Sequence, residues 1–149
     1  MRRALYRLCL SSVVGCAFGA CCAESGRRSL DLPGRTDSRP YHHVVQSGDT
    51  VYVAGTIGRS ADTGLPPEDA ADEARLALEG VQAKLALAGL TMDDLVSVQV
   101  YCSDLSLYET FNDVYATFFV REYPVRAFIG SGPLLFGGRF EISAIGARR

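Results

Sequence analysis

Between Pro67 and Phe119 the chain changes hydrophobic period twice, and that change limits its fold more than any other feature. In "PEDAADEARLALEGVQAKLALAG", Ala74, Ala77, Leu78, Val81, Leu85 and Ala88 recur at helical spacing. Acidic residues crowd its first turn and Gly89 closes it, as a helix dipole and a helix end require. "LVSVQVYCSD" then alternates, with Val96, Val98, Val100 and Cys102 on one side and Ser97, Gln99 and Tyr101 on the other. Such alternation describes a half-buried strand. A second helical stripe follows from about Leu107 to Phe119, carried by Leu107, Phe111, Val114, Tyr115 and Phe118, and the Tyr123-Pro124 step ends it.

Strand signals flank this core. "VYVAGTI" (51 to 57) follows a Ser-Gly-Asp turn, which makes "HHVVQ" its hairpin partner. "RSADTGLPP" reads as a loop. "VRAFIGS" and "RFEISAIGA" form two last strands, joined by the glycine-rich "GPLLFGG". The expected order is ββαβαββ, an α+β layout with one mixed sheet and both helices on a single face. Apolar residues of both parities in the last two strands predict that the open sheet face is covered by self-association.

The N-terminus differs in kind. "MRRALYR" is a basic head and "LCLSSVVGCAFGACCA" a short apolar run of small residues. This layout matches an export signal, and the run is short for a membrane-spanning helix. Cys9, Cys16, Cys21 and Cys22 fall inside it, leaving Cys102 alone in the remainder. "VVGC" and "FGAC" resemble the lipobox of bacterial lipoproteins, which makes Cys16 or Cys21 the expected lipid anchor. Residues 1–23 are thus expected to be an export or lipoprotein signal, 24–40 a linker and 41–149 the folded domain. The product is then periplasmic or membrane-anchored. The alternative is a cytoplasmic protein translated from further downstream, although the next methionine is Met92.

Composition narrows the chemistry. The formal net charge is −2, and the folded part has no Lys/Arg run, which argues against nucleic acid as the main partner. With two histidines and one downstream cysteine, a zinc site is not expected; His42 and His43, if in a strand, point to opposite faces. Cys102 reads as a buried apolar residue. No Gly-x-Ser-x-Gly elbow or phosphate-binding loop is present. Arg126 stands out, because it opens an apolar strand just after Pro124 and cannot lose its charge. If the last two strands pair antiparallel, Arg126 and Glu141 share a cleft. There the guanidinium fork grips a carboxylate and Glu141 orients or deprotonates water. A plain Arg–Glu bridge at a subunit contact fits the same spacing equally well.

"VYVAGTIG", "FNDVYATFF", "YPVRAFIG" and "FEISAIGA" stand in an order and spacing that resemble the RidA/YjgF family, over roughly residues 41 to 147. The resemblance implies a chorismate-mutase-like fold, a homotrimer with a cleft at each subunit interface, and no metal or organic cofactor. It implies hydrolytic deamination of 2-imino and 2-enamino acids, such as 2-aminoacrylate, to 2-oxo acids and ammonia, with a small 2-imino or 2-oxo carboxylate as ligand. On this pattern Arg126 and Glu141 are catalytic, and Tyr41, Gly55 and Asn112 bind substrate beside Arg126. Several positions depart from the family. Phe128 replaces a cysteine and is expected to contact substrate and to narrow or reshape the pocket, Ala54-Gly55-Thr56 replaces Ser-Gly-Gln, and Glu73 and Gly80 replace Gln and Asn. These departures keep a non-catalytic carboxylate-binding module open as the alternative. An endoribonuclease is a third reading, which the lack of a basic groove disfavours.

Overall fold

The computed structural model describes residues 26–148. The expected signal segment, with Cys16 and Cys21, lies outside the described residues. The elements are β1 (Arg27–Leu30), β2 (Val44–Ser47), β3 (Thr50–Ile57), α1 (Ala70–Leu87), β4 (Leu95–Cys102), α2 (Tyr108–Ala116), β5 (Val125–Gly130) and β6 (Phe140–Ala147). They build one mixed six-stranded sheet in the order β1-β2-β3-β6-β4-β5, the α+β architecture expected from the periodicities.

Local signals act as read. Asp69 caps α1, its carboxylate accepting from Asp72 N, and Gly89 (φ 74°) turns the chain away at the other end. All six residues of the α1 stripe are buried, as are Phe111, Val114 and Tyr115 of α2. They pack on the sheet face carrying Val51, Val53, Val98, Val100, Phe140 and Ile142. Gly58 permits the closest approach, because a Cβ there would overlap the α1 backbone at Glu73. The opposite sheet face presents Tyr52, Ser97, Gln99, Tyr101, Ser143 and Ile145, and Tyr52 is 48% exposed.

Four expectations need correction. The stretch read as a linker contains β1, which pairs antiparallel with β2 from Arg27↔Ser47 to Leu30↔Val44. Val96 does not share the buried face of β4: the β4–β6 register shifts between Leu95 and Ser97, so Leu95 turns inward and Val96 is exposed. His42 and His43 precede β2 rather than lying in it, and both ring Nδ1 atoms approach Asp31, at 2.8 and 3.4 Å. Lastly, β5 and β6 do not pair. β5 runs parallel to β4, and β6 lies on the far side of β4, antiparallel to it.

Candidate functional site

That topology splits the predicted site residues into two groups. Arg126 is level with Val98 and faces α2, whereas Glu141 is level with Tyr101 and faces the other way. Adjacent partners in a sheet point to the same face, so these two side chains stand on opposite faces of it. Within one chain they do not share a cleft.

The first group gathers at the sheet edge. Arg126 Nη2 donates to Asn112 Oδ1 at 2.6 Å, linking β5 to α2. The guanidinium carbon lies 4.6 Å from the Tyr115 ring centre and 5.8 to 5.9 Å from those of Tyr108, Phe111 and Phe128. Such faces hold a cation while leaving its remaining N–H donors available. A cavity of about 350 Å³ opens here, lined by Asn112, Tyr115, Ala116, Tyr123, Pro124 and Arg126. The Tyr115 hydroxyl is buried and has no hydrogen-bond partner among the described residues, and burial pushes its pKa up to about 12. Phe128 does not line this cavity. It packs edge-on against Tyr108 (5.0 Å) and Phe111 (5.5 Å), so it backs the aromatic cluster instead of narrowing the opening.

The second group lies where β3 bulges. The β3–β6 register shifts between Val53 and Thr56, which leaves Gly55 against Glu141. A Cβ on Gly55 would overlap Glu141 Oε1, so the missing side chain is what makes room for the carboxylate. Tyr41, Gly55 and Glu141 line a cavity of about 430 Å³ with Thr56, Arg39, Arg59, Phe136 and Lys84. Phe136 adopts a left-handed backbone (φ 61°), which is uncommon for a bulky residue, and Arg59 lies over its ring at 4.3 Å.

Sequence reasoning passed over Lys84. It is 6% exposed, and its Nζ donates to Ala54 O (3.1 Å), Gly55 O (3.1 Å) and Thr56 Oγ1 (2.6 Å). Burial lowers its pKa to about 8, with the Glu141 carboxylate acting in the opposite direction. The signal was its position, three residues after Val81 and four before Ala88, inside an apolar stripe. Burial, then the Lys84 charge, push the pKa of His43 below its ordinary value.

A family model described as Endoribonuclease L-PSP matches residues 35–148, which takes in every residue named in the two cavities. The chain belongs to the RidA/YjgF family. Among RidA/YjgF relatives, TdcF of Escherichia coli (strain K12) is 37% identical over 112 residues, covering 73% of this chain and 87% of TdcF. The crystal structure of E. coli TdcF with bound serine has a TM-score of 0.71 at 34% identity, covering 82% of this chain and 94% of that one. The 2-iminobutanoate/2-iminopropanoate deaminase of Bos taurus is 36% identical over 107 residues, covering 71% and 78%. RidA-type deaminases are therefore this chain's kin in both sequence and fold.

Proposed function

We propose that this protein hydrolyses 2-imino and 2-enamino acids to 2-oxo acids and ammonia, at a site completed between copies of a homotrimer. The observation that carries the reading is the state of Arg126. It is a half-buried guanidinium fixed by an amide and four rings, at the mouth of a cavity and on an edge strand. Its fork suits a substrate carboxylate. Tyr41, Gly55 and Glu141 of a neighbouring copy then supply the other wall, which accounts for their separation from Arg126 within one chain. Deaminases named for 2-iminobutanoate and 2-iminopropanoate among the relatives support the same chemistry.

The protonated imine carbon is already electrophilic, so the protein's task is to hold the carboxylate and present water. Glu141 takes a proton from water as its oxygen attacks C2. Glu141 hands that proton to the carbinolamine nitrogen; ammonia then leaves as Glu141 takes the remaining hydroxyl proton and the oxygen becomes the carbonyl, and that last proton passes to solvent. An enamine first takes a proton at C3 to become the imine.

The test uses enzymatically generated 2-iminopropionate, with protein lacking residues 1–23. Wild-type protein is expected to accelerate loss of the imine. Arg126→Ala and Glu141→Gln are each expected to lose nearly all activity alone. Refolded together, they recover activity, about a quarter of the wild-type level if subunits mix randomly. Ligand binding without acceleration would replace the enzyme with a carboxylate-binding module. Acceleration without recovery on mixing would move the site into one chain.

A second expectation concerns the bulge. Gly55→Ala must displace the Glu141 carboxylate, a flexible end, so the fold survives while the carboxylate leaves its place. The expected loss is roughly 10- to 100-fold in kcat, the scale of a misplaced reacting group, with melting temperature little changed. A kcat equal to wild type would remove Glu141 from the reaction.

A further inference from the structure

Lys84 is the buried charge that this mechanism does not use. All three of its N–H donors are spent on consecutive β3 residues, at the place where β3 breaks register with β6. It therefore sits under the floor that seats Gly55 beside Glu141. Its burial is not explained by stability. The folded pKa of about 8 lies below the ordinary lysine value of 10.5, so between those limits the unfolded chain holds a proton that the folded chain has released. Stability from this group rises with pH across that window, and at neutral pH the charge works against folding. An apolar residue would avoid that cost but leave the Ala54 and Gly55 carbonyls and the Thr56 hydroxyl without this donor. The charge itself also bears on the cavity that Lys84 lines.

There, Glu141 is the one carboxylate among the lining residues, and a second carboxylate entering the site meets its field. Arg39 and Arg59 line the cavity as well, and Lys84 adds a further cation under the bulge, in a partly desolvated space where charges act more strongly than in water. We propose that Lys84 is a positioning and specificity residue: it holds the β3 bulge and supplies the charge that lets an anionic substrate lie beside Glu141. The inference rests on the reading that the ligand is a small carboxylate, and it adds a residue that reading does not need.

Two probes separate charge from shape: pyruvate, and its neutral amide 2-oxopropanamide. Binding of each is measured by titration calorimetry from pH 7 to pH 9. The groups facing Lys84 are Thr56, Ala54 and Gly55 of β3, Glu141 of β6 and His43 before β2, and Arg39, Tyr41 and Arg59 line the same cavity. Burial, then the Lys84 charge, lower the His43 pKa and so move its titration away from this range. Wild-type affinity for pyruvate is expected to fall as pH rises through about 8, and affinity for the amide to stay level. In Lys84→Met, pyruvate binding at pH 7 weakens about tenfold, the scale of one lost partly screened charge. It then no longer varies with pH, while the amide weakens less, by only what the unpinned bulge costs. Equal weakening of both probes would reduce Lys84 to a structural pin, and a level wild-type pyruvate series would remove the charge role. The wild-type series needs no variant, so it decides even if Lys84→Met fails to fold. Absence of pyruvate binding to wild type would overturn the carboxylate reading itself, and this inference with it.

Discussion

Arg126→Ala is expected to lower kcat/KM for 2-iminopropionate by about 10²- to 10³-fold, the range for truncating one partner of a desolvated charge pair. The loss should be specific to binding and chemistry. Arg126 is only half-buried and its polar and ring contacts among the described residues are one amide oxygen and ring faces, so its removal strands no opposite charge there. Melting temperature and oligomeric state should hold. Arg126→Lys should fall between the two, since an ammonium cannot reproduce the planar fork and is more strongly hydrated. Retention of activity within a few-fold in Arg126→Ala would remove the guanidinium from the reaction and, with it, the main support for a deaminase.

The largest effect on stability is expected from Glu73→Ala. Glu73 is fully buried on α1, and its carboxylate accepts from Arg139 N (2.6 Å), Phe140 N (3.1 Å) and Arg139 Nε (2.5 Å). Arg139 in turn donates to the carbonyl oxygens of Pro67 and Glu68 before the helix. One side chain thus ties the start of β6 to the first turn of α1. Its removal leaves two buried N–H groups and a guanidinium without their acceptor, a change that costs about 3–5 kcal/mol. Glu73→Gln keeps one acceptor oxygen and should cost about 1–2 kcal/mol. Urea unfolding measures both. A cost for Glu73→Ala under about 1 kcal/mol would mean that water takes over the carboxylate's role.

Both residues illustrate what the sequence makes legible. Glu73 and Lys84 sit at helical spacing with the apolar stripe, so burial of their positions was readable from α1 alone. Why charges occupy them was not, because their partners, backbone groups for the most part, lie 28 to 67 residues away. The strands and helices themselves followed from period and turn chemistry. Their order in the sheet did not, since periodicity says which face a residue takes and nothing about which strand lies beside it. One rule did bear on the error over Arg126 and Glu141. β4, α2 and β5 form a strand–helix–strand unit, and a crossover of that kind joins parallel neighbours. Treating β5 and β6 as a hairpin across "GPLLFGG" overlooked it. The bulges at Val96 and Gly55 break alternation by one residue, which a strict two-residue period cannot register. β1 was missed because "RRSL" is polar and exposed over its first half, the character of an edge strand and also of a linker.

That short first strand has a practical consequence for how the protein is handled. β1 shields the outer hydrogen-bonding groups of β2, and it is itself blunt, being four residues long and opening with two arginines. Trimming the chain at Tyr41, where the sequence patterns alone put the start of the domain, would strip that guard and make valine-rich β2 a sticky rim open to stray chains. It would also remove Asp31, which holds His42 and Arg35 together. A soluble recombinant form should therefore start no later than Gly26.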